Sequence, residues 1–421
     1  MTPIADGYRI IEVPESRKDE FLAVDELAFA FGLDAQTAAQ LPVTLPWDRT
    51  MAVETEAGEL AAVHASYPFA LPVPGASVPC AGLTWVGARP DHRRHGLLTA
   101  MIATHFTRAL GRGEPVSALF AAEPAIYGRF GYGSAASDLR LTLPRGAALR
   151  DVPGSAELTV RFETVDVQAH GSIVDTVHAA AGRGRPGWIT RDTAQLSARH
   201  LVDPPALRAG AEPLRIVTVR SGDDVRGYAL LRRKDTWCER GPEYTVDVRE
   251  VATIDAAAAH RLWSFVLDLD LTATVSGPKL AVDDPLMHLL VDPRKVVPRL
   301  VDNLWIRVLD VPTALTGRRY SARVDVVLDV TDTRIPANAG RWRLTTHDVD
   351  EHGAWTATCE RTQDPADITL DVRELGALYL GSGSLTALAS AGLVTAVRPD
   401  RLAEASTALA WPVAPVCSWV F

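Results

Sequence analysis

Arg93 and Arg94 stand just ahead of Gly96 in ARPDHRRHGLLTA, and the apolar residues that follow recur at helical spacing. A guanidinium presents a planar fork of donors that suits phosphate oxygens. The first turn of a helix leaves backbone N–H groups without partners, and its dipole favours negative charge beside them. A glycine lets backbone approach a bound anion closely. Such a junction can seat a pyrophosphate. Taken alone, Arg93-Arg94-His95-Gly96 is equally a charged turn that keeps a loop in water. The stretch is neither a Walker loop nor a dinucleotide fingerprint, since GxxxxGK[ST] and GxGxxG are both missing. A second set of reactive groups lies in IYGRFGYG, Ile126 to Gly133. Tyr127 or Tyr132 could donate a phenolic proton, or each could simply be a packed aromatic.

The flanking elements must hold these groups in place. GLTWVGA, Gly82 to Ala88, is a continuous apolar run that reads as a buried strand. Leu98, Met101, Ile102 and Phe106 form a helical face, and Gly113-Glu114-Pro115 ends it. Val116 to Ala122 is a further buried strand, so strand, helix and strand imply a right-handed crossover. Upstream, Tyr8–Val13 reads as a strand, Glu20–Phe31 as a helix and Thr50–Val63 as a hairpin turning near Gly58. Past turn residues at 144–154, a similar order returns. Strands at Leu214–Arg220, Arg226–Lys234 and Tyr244–Ala252 precede a helix at Ala256–Leu267. No RRxG joins that last strand to its helix, so this is a degenerate second copy. After a boundary near 292–303, strands at Val324–Val330, Gly340–Thr346 and Ala354–Arg361 and helices at Leu385–Gly392 and Arg401–Ala410 give an α+β pattern.

A length of 421 residues suits about three domains. The net charge of −9 argues against nonspecific nucleic-acid binding, which needs basic surface. Cys80, Cys238, Cys359 and Cys417 are widely spaced with no CxxC pair, so neither a disulfide framework nor a zinc site is expected. MTPIADGYRI lacks the features of a signal peptide, and no apolar run is long enough to span a membrane. The cytoplasm is the expected location. His92, His95 and His105 lie near the first motif without metal-ligand spacing, and no metal is expected.

AGLTWVGARPDHRRHGLL followed by IYGRFGYG resembles the GNAT acetyltransferases, and more closely their Eis (enhanced intracellular survival) branch. DITLDVRELGALYLGSG resembles the third domain of that branch. The resemblance implies an α+β (mixed α/β) chain in three parts. These are an N-terminal GNAT domain at 1–150, a degenerate GNAT domain at 151–297 and a sterol-carrier-protein-like domain at 298–421. It implies acetyl-CoA as acetyl donor. The backbone of Val86, Gly87 and Ala88 would meet the pantetheine arm. Arg94, His95, Gly96, Leu97, Leu98 and Thr99 would hold the pyrophosphate, with Arg93 beside them and Ala122 and Glu123 completing the site. Leu98 departs from the small residue of the general pattern, as the Eis branch does. Ala122 has no hydroxyl where family members carry serine, which removes one bond to the cofactor.

An amine of pKa about 10.4 must lose a proton before it attacks a thioester. By its place in IYGRFGYG, Tyr127 would be the general acid for the leaving thiolate, with Tyr132 second. The resemblance makes the C-terminal carboxylate, here that of Phe421, the base. Trp85 would wall the amine pocket, where a cation over its ring is favoured. Asp25 and Glu26 on the first helix could attract a polyamine or an aminoglycoside. The expected activity is acetyl transfer to primary amines: aminoglycosides, polyamines or lysine side chains. The branch implies a homo-hexamer. The alternative is a ligand-binding protein that uses the sterol-carrier-like domain, with the GNAT domains as scaffold.

Overall fold

The computed structural model describes residues 4–421. Its first sheet begins with β1 (Tyr8–Glu12), β2 (Thr50–Thr55), β3 (Leu60–Val73), β4 (Ala76–Ala88) and β5 (Val116–Phe120), in that spatial order. The helices α1 (Lys18–Phe29), α2 (Ala35–Gln40) and α3 (Leu97–Gly111) accompany them. α3 carries the chain from β4 to the parallel β5, the crossover expected from the apolar runs. The β2–β3 hairpin turns at Gly58, as expected, but β3 and β4 are longer than their apolar cores suggested. Pro68, Pro72 and Pro79 lie in these strands, and proline argues against strand in a sequence.

The second sheet runs, in space, through Leu280–Ala281, Ser137–Pro144, Thr272–Ser276, Tyr244–Thr253, Asp224–Lys234, Arg215–Ser221 and Thr159–Thr164. Helix Ala256–Leu267 joins Tyr244–Thr253 to the parallel Thr272–Ser276, repeating the β4–α3–β5 unit. A third, five-stranded sheet is built from residues between 325 and 396. Leu375, Leu378 and Leu380 of this region are at most 1% exposed, and helix Val372–Leu378 packs mainly against Leu304–Val308 and Gly133–Ser134 of the first sheet, so the two units share one core.

The first sheet is not contiguous in sequence, and the second takes its first strand from before residue 151. Ser137–Pro144 leaves the first unit to pair with Thr272–Ser276 and Val297–Asp302 in the second. Leu304–Val308 returns to the first sheet and pairs with β5 and Gly133–Ser134. The ranges 1–150 and 298–421 expected from turn composition therefore each contain a strand that belongs to another unit's sheet. An apolar run reveals that it will be buried, not which edge it will pair with.

Candidate active site

β4 and β5 pair only from Cys80↔Val116 to Gly82↔Ala118, although both strands run further. Past that point they splay, and the β5-facing backbone of β4 has no strand partner. A bulge sharpens the divergence: the β3–β4 register slips between Val63 and Ala65. Trp85, on the bulged side, has φ 55°. Left-handed backbone at a tryptophan is costly and is usually kept where a site requires it. The splay opens a groove of about 870 Å3. Val86, Gly87 and Ala88 form one side, and Ala122, Glu123 and Ile126 the other. Arg93, Arg94, Gly96, Leu97, Leu98 and Thr99 border it at the start of α3. His95 is not among the groove's lining residues; its Nδ1 lies 3.2 Å from the His92 carbonyl oxygen.

Gly96 is the N-cap of α3, with φ 75° and no side chain capping the first turn. A Cβ there would meet nothing within 4 Å, so the backbone dihedral, not crowding, calls for glycine, and the space over the helix start is open. Arg93 and Arg94 are exposed, and neither has an ion pair among the described residues. The second unit differs at the matching junction. Asp255 caps Ala256–Leu267, accepting from the Ala258 N–H at 2.8 Å, and pairs with Arg226. A carboxylate thus fills the place an anion would take, which is the physical content of the missing RRxG.

Tyr127 closes a single helical turn, Pro124–Tyr127, just past β5. Burial, then the nearby Glu123 charge, pushes its phenol up to about 12. It therefore stays protonated at neutral pH. Tyr132 is fully buried, its hydroxyl 2.8 Å from Ser117 Oγ, and it reaches neither the groove nor the cavity beside it. That second cavity, about 720 Å3, meets the groove at Tyr127, Val86 and Ala122. Trp85, Asp25 and Phe421 also line it, whereas Glu26 does not. Trp85 Nε1 lies 3.4 Å from the Tyr67 hydroxyl. Asp25 is only 5% exposed, and burial, then Glu26, raises its carboxyl to about 6.

Phe421 reaches this cavity through the tail. Its ring packs edge-on to Phe69 at 4.8 Å and Phe120 at 5.4 Å between centroids. Upstream, the tail is clamped. Asn303 Oδ1 accepts from the Cys417 N–H, Trp419 Nε1 donates to the Ile189 carbonyl, and Ser418 Oγ donates to Glu250 Oε1 at 2.9 Å. Burial alone would raise Glu250, but His200 and Arg191 hold it well below the usual carboxylate range. The degenerate second unit therefore contributes the anchor of the segment that delivers Phe421. Sequence reading missed Glu250, Arg191 and Ser418, because nothing local links positions so far apart in the chain. Among the described residues, no group of three or more His, Cys, Asp or Glu is arranged to hold a metal. No helix among them is long and apolar enough to cross a membrane.

Comparison with known proteins agrees with this architecture. Residues 9–135 and 187–308 each match a model described as an acetyltransferase (GNAT) domain, and 311–418 match a sterol carrier protein domain. An uncharacterised N-acetyltransferase of Streptomyces avermitilis is 38% identical over 95% of this chain and 97% of its own. N-acetyltransferase Eis of Mycobacterium tuberculosis is 32% identical over 86% of this chain and 87% of its own. The crystal structure of Eis1 from Mycobacterium abscessus superposes with a TM-score of 0.81 at 30% identity, covering 98% of this chain and all of that one. The chain is an N-acetyltransferase with two GNAT domains and a sterol-carrier-protein domain, and it belongs to the Eis family.

Proposed function

We propose that this N-acetyltransferase moves the acetyl group of acetyl-CoA to a primary amine by direct attack, with Tyr127 as general acid and the Phe421 carboxylate as base. One observation supports this above the others: Tyr127 stands where the groove and the second cavity meet, so a donor in one and an acceptor in the other would both reach it. The open helix start at Gly96, with Arg93 and Arg94 beside it, fits a pyrophosphate. The unpaired edge at Val86–Ala88 fits the amides of a pantetheine arm. The Phe421 carboxylate, directly or through water, takes the amine proton. The nitrogen–carbon bond forms as the carbon–sulfur bond breaks, and Tyr127 passes its proton to the departing thiolate. Trp85 walls the acceptor side.

Aminoglycosides, polyamines and lysine side chains are the acceptor classes that the family likeness brings to the cavity. The same likeness carries a hexameric assembly, which light scattering of the purified chain tests, and a cytoplasmic location.

Thiol release from acetyl-CoA against a panel of amines tests the activity. Tyr127→Phe is expected to lower kcat about a hundredfold or more with the acetyl-CoA Kd nearly unchanged. An equal loss of affinity would reduce Tyr127 to a packing residue. Extending the chain beyond Phe421 by a few residues is expected to abolish turnover; wild-type turnover in that variant removes the base assignment.

A further inference from the structure

The acceptor cavity has walls of two origins. The first unit supplies Trp85, Tyr127 and Asp25. The opposite wall comes from the second unit and is cationic. Arg199 stands on helix Ala194–Leu201, Arg249 on strand Tyr244–Thr253, and Lys279 just beyond strand Thr272–Ser276. All three are half-buried. Among the described residues none of them has a hydrogen bond or a carboxylate within 4.0 Å, the Phe421 terminus included.

This is unusual within the molecule itself. The fully buried cations all have partners: Arg191 pairs with Glu250, Arg49 with Glu114 and Arg307 with Asp332, and Arg318, which has no carboxylate, donates to the Tyr379 and Leu409 carbonyls. Cations withdrawn from water without a counter-charge are costly. Burial lowers the pKa of Arg199, Arg249 and Lys279 alike, as expected of cations lacking a close partner. The acidic groups on the same cavity do not answer them. Asp302 accepts from Trp305 Nε1 at 2.7 Å, and Asp25 sits on α1 on the other wall. Arg140, the fourth cation there, is paired with Asp138.

We propose that the acceptor is a primary amine that carries an anionic group, a carboxylate or a phosphate, away from the reacting nitrogen, and that Arg199, Arg249 and Lys279 hold that group. This rests on the acetyltransferase reading above and narrows its substrate class. The amine would lie toward Trp85 and Tyr127 while its anion faces the second unit. A polycation such as a polyamine or an aminoglycoside would instead set like charges against three unpaired cations. The degenerate GNAT unit would then act as the specificity wall of its catalytic neighbour.

The test compares matched acceptors of increasing chain length with the full chain. These are an ω-amino acid, the diamine and the alkylamine of the same length, with aminoalkyl phosphates separating phosphate from carboxylate. The ω-amino acid or the aminoalkyl phosphate is expected to exceed the diamine in kcat/KM by about tenfold or more. Arg249→Gln and Lys279→Met are each expected to raise KM for the anionic acceptor about tenfold and to narrow its lead over the alkylamine. A diamine preferred over both anionic amines overturns the proposal while leaving the acetyltransferase reading intact. Failure of every amine to elicit thiol release, together with no thermal shift on adding acetyl-CoA, brings down that reading instead. A measurement without turnover keeps the two apart: calorimetric binding of an N-acetyl-ω-amino acid in the presence of CoA. Binding weakened about tenfold in the two variants supports the proposal. No binding, or binding that the variants leave unchanged, overturns it.

Discussion

Two groups of the site have raised pKa values: Tyr127 at the junction of groove and cavity, and Asp25 on the cavity wall. Tyr127 is pushed up to about 12, chiefly by burial, and is protonated across the physiological range. Asp25 is raised from 3.8 to about 6, chiefly by burial and then by Glu26. A carboxyl whose folded-state pKa is raised makes the folded state bind a proton that the unfolded chain has already lost. Stability is therefore lost as pH rises from about 4 to past 6, and the loss is complete above that. Asp25→Asn is expected to stabilise the protein at pH 7 by on the order of 2 kcal/mol and to do nothing near pH 3. Thermal melts across this range check it, and a gain that does not shrink at low pH would refute the assignment. The same variant informs the chemistry. If an inflection of kcat/KM near pH 6 vanished in Asp25→Asn, the base would be Asp25 and not Phe421.

The elements around the site show what a sequence reader can and cannot reach. The Arg93–Thr99 segment was legible because its parts are local: an apolar strand, a glycine, then a helical face. The bulge at Trp85 was not, since its cause lies in the register with β3. The glycines of IYGRFGYG carried a meaning that no local reading supplies. A Cβ on Gly133 would stand 2.0 Å from the Arg373 carbonyl oxygen and 2.4 Å from the Ala377 nitrogen. The helix Val372–Leu378 of the third sheet's unit thus lies directly on the motif that ends in Gly133. The tail clamp is equally nonlocal. Ser418→Ala would leave Glu250, a 1% exposed carboxylate, with one hydrogen bond fewer, a cost of about 1–3 kcal/mol. Its expected kinetic mark is a drop in kcat with an unchanged Kd for acetyl-CoA, because the tail bears on the acceptor cavity and not on the α3 groove. A matching loss of cofactor affinity would mean that the clamp supports the whole unit instead.

At the scale of the molecule, the three units that composition divides are tied together by the strand Leu304–Val308. It pairs with β5, whose end leads into the turn that carries Tyr127, and Leu304, Ile306 and Val308 are fully buried. Arg307, on the same strand, is 0% exposed; it pairs with Asp332 at 2.6 Å and its guanidinium lies 5.2 Å from the Phe106 ring centroid. One side chain thus joins the first sheet, α3 and the third unit. A fragment ending before residue 304 would leave β5 as an unpaired edge with an exposed apolar face, so the catalytic unit is not expected to fold alone. In the full chain, Asp332→Asn removes the charge that compensates Arg307 and is expected to cost about 3–5 kcal/mol. Because the ion pair spans two units, the loss should appear in both. Hydrogen exchange would show amides of β5 and of Asp325–Thr331 losing protection together, and calorimetry would show one transition at lower temperature. A third unit that melts separately, with β5 still protected, would mean that the ion pair is local to that unit and that the returning strand alone secures the active site.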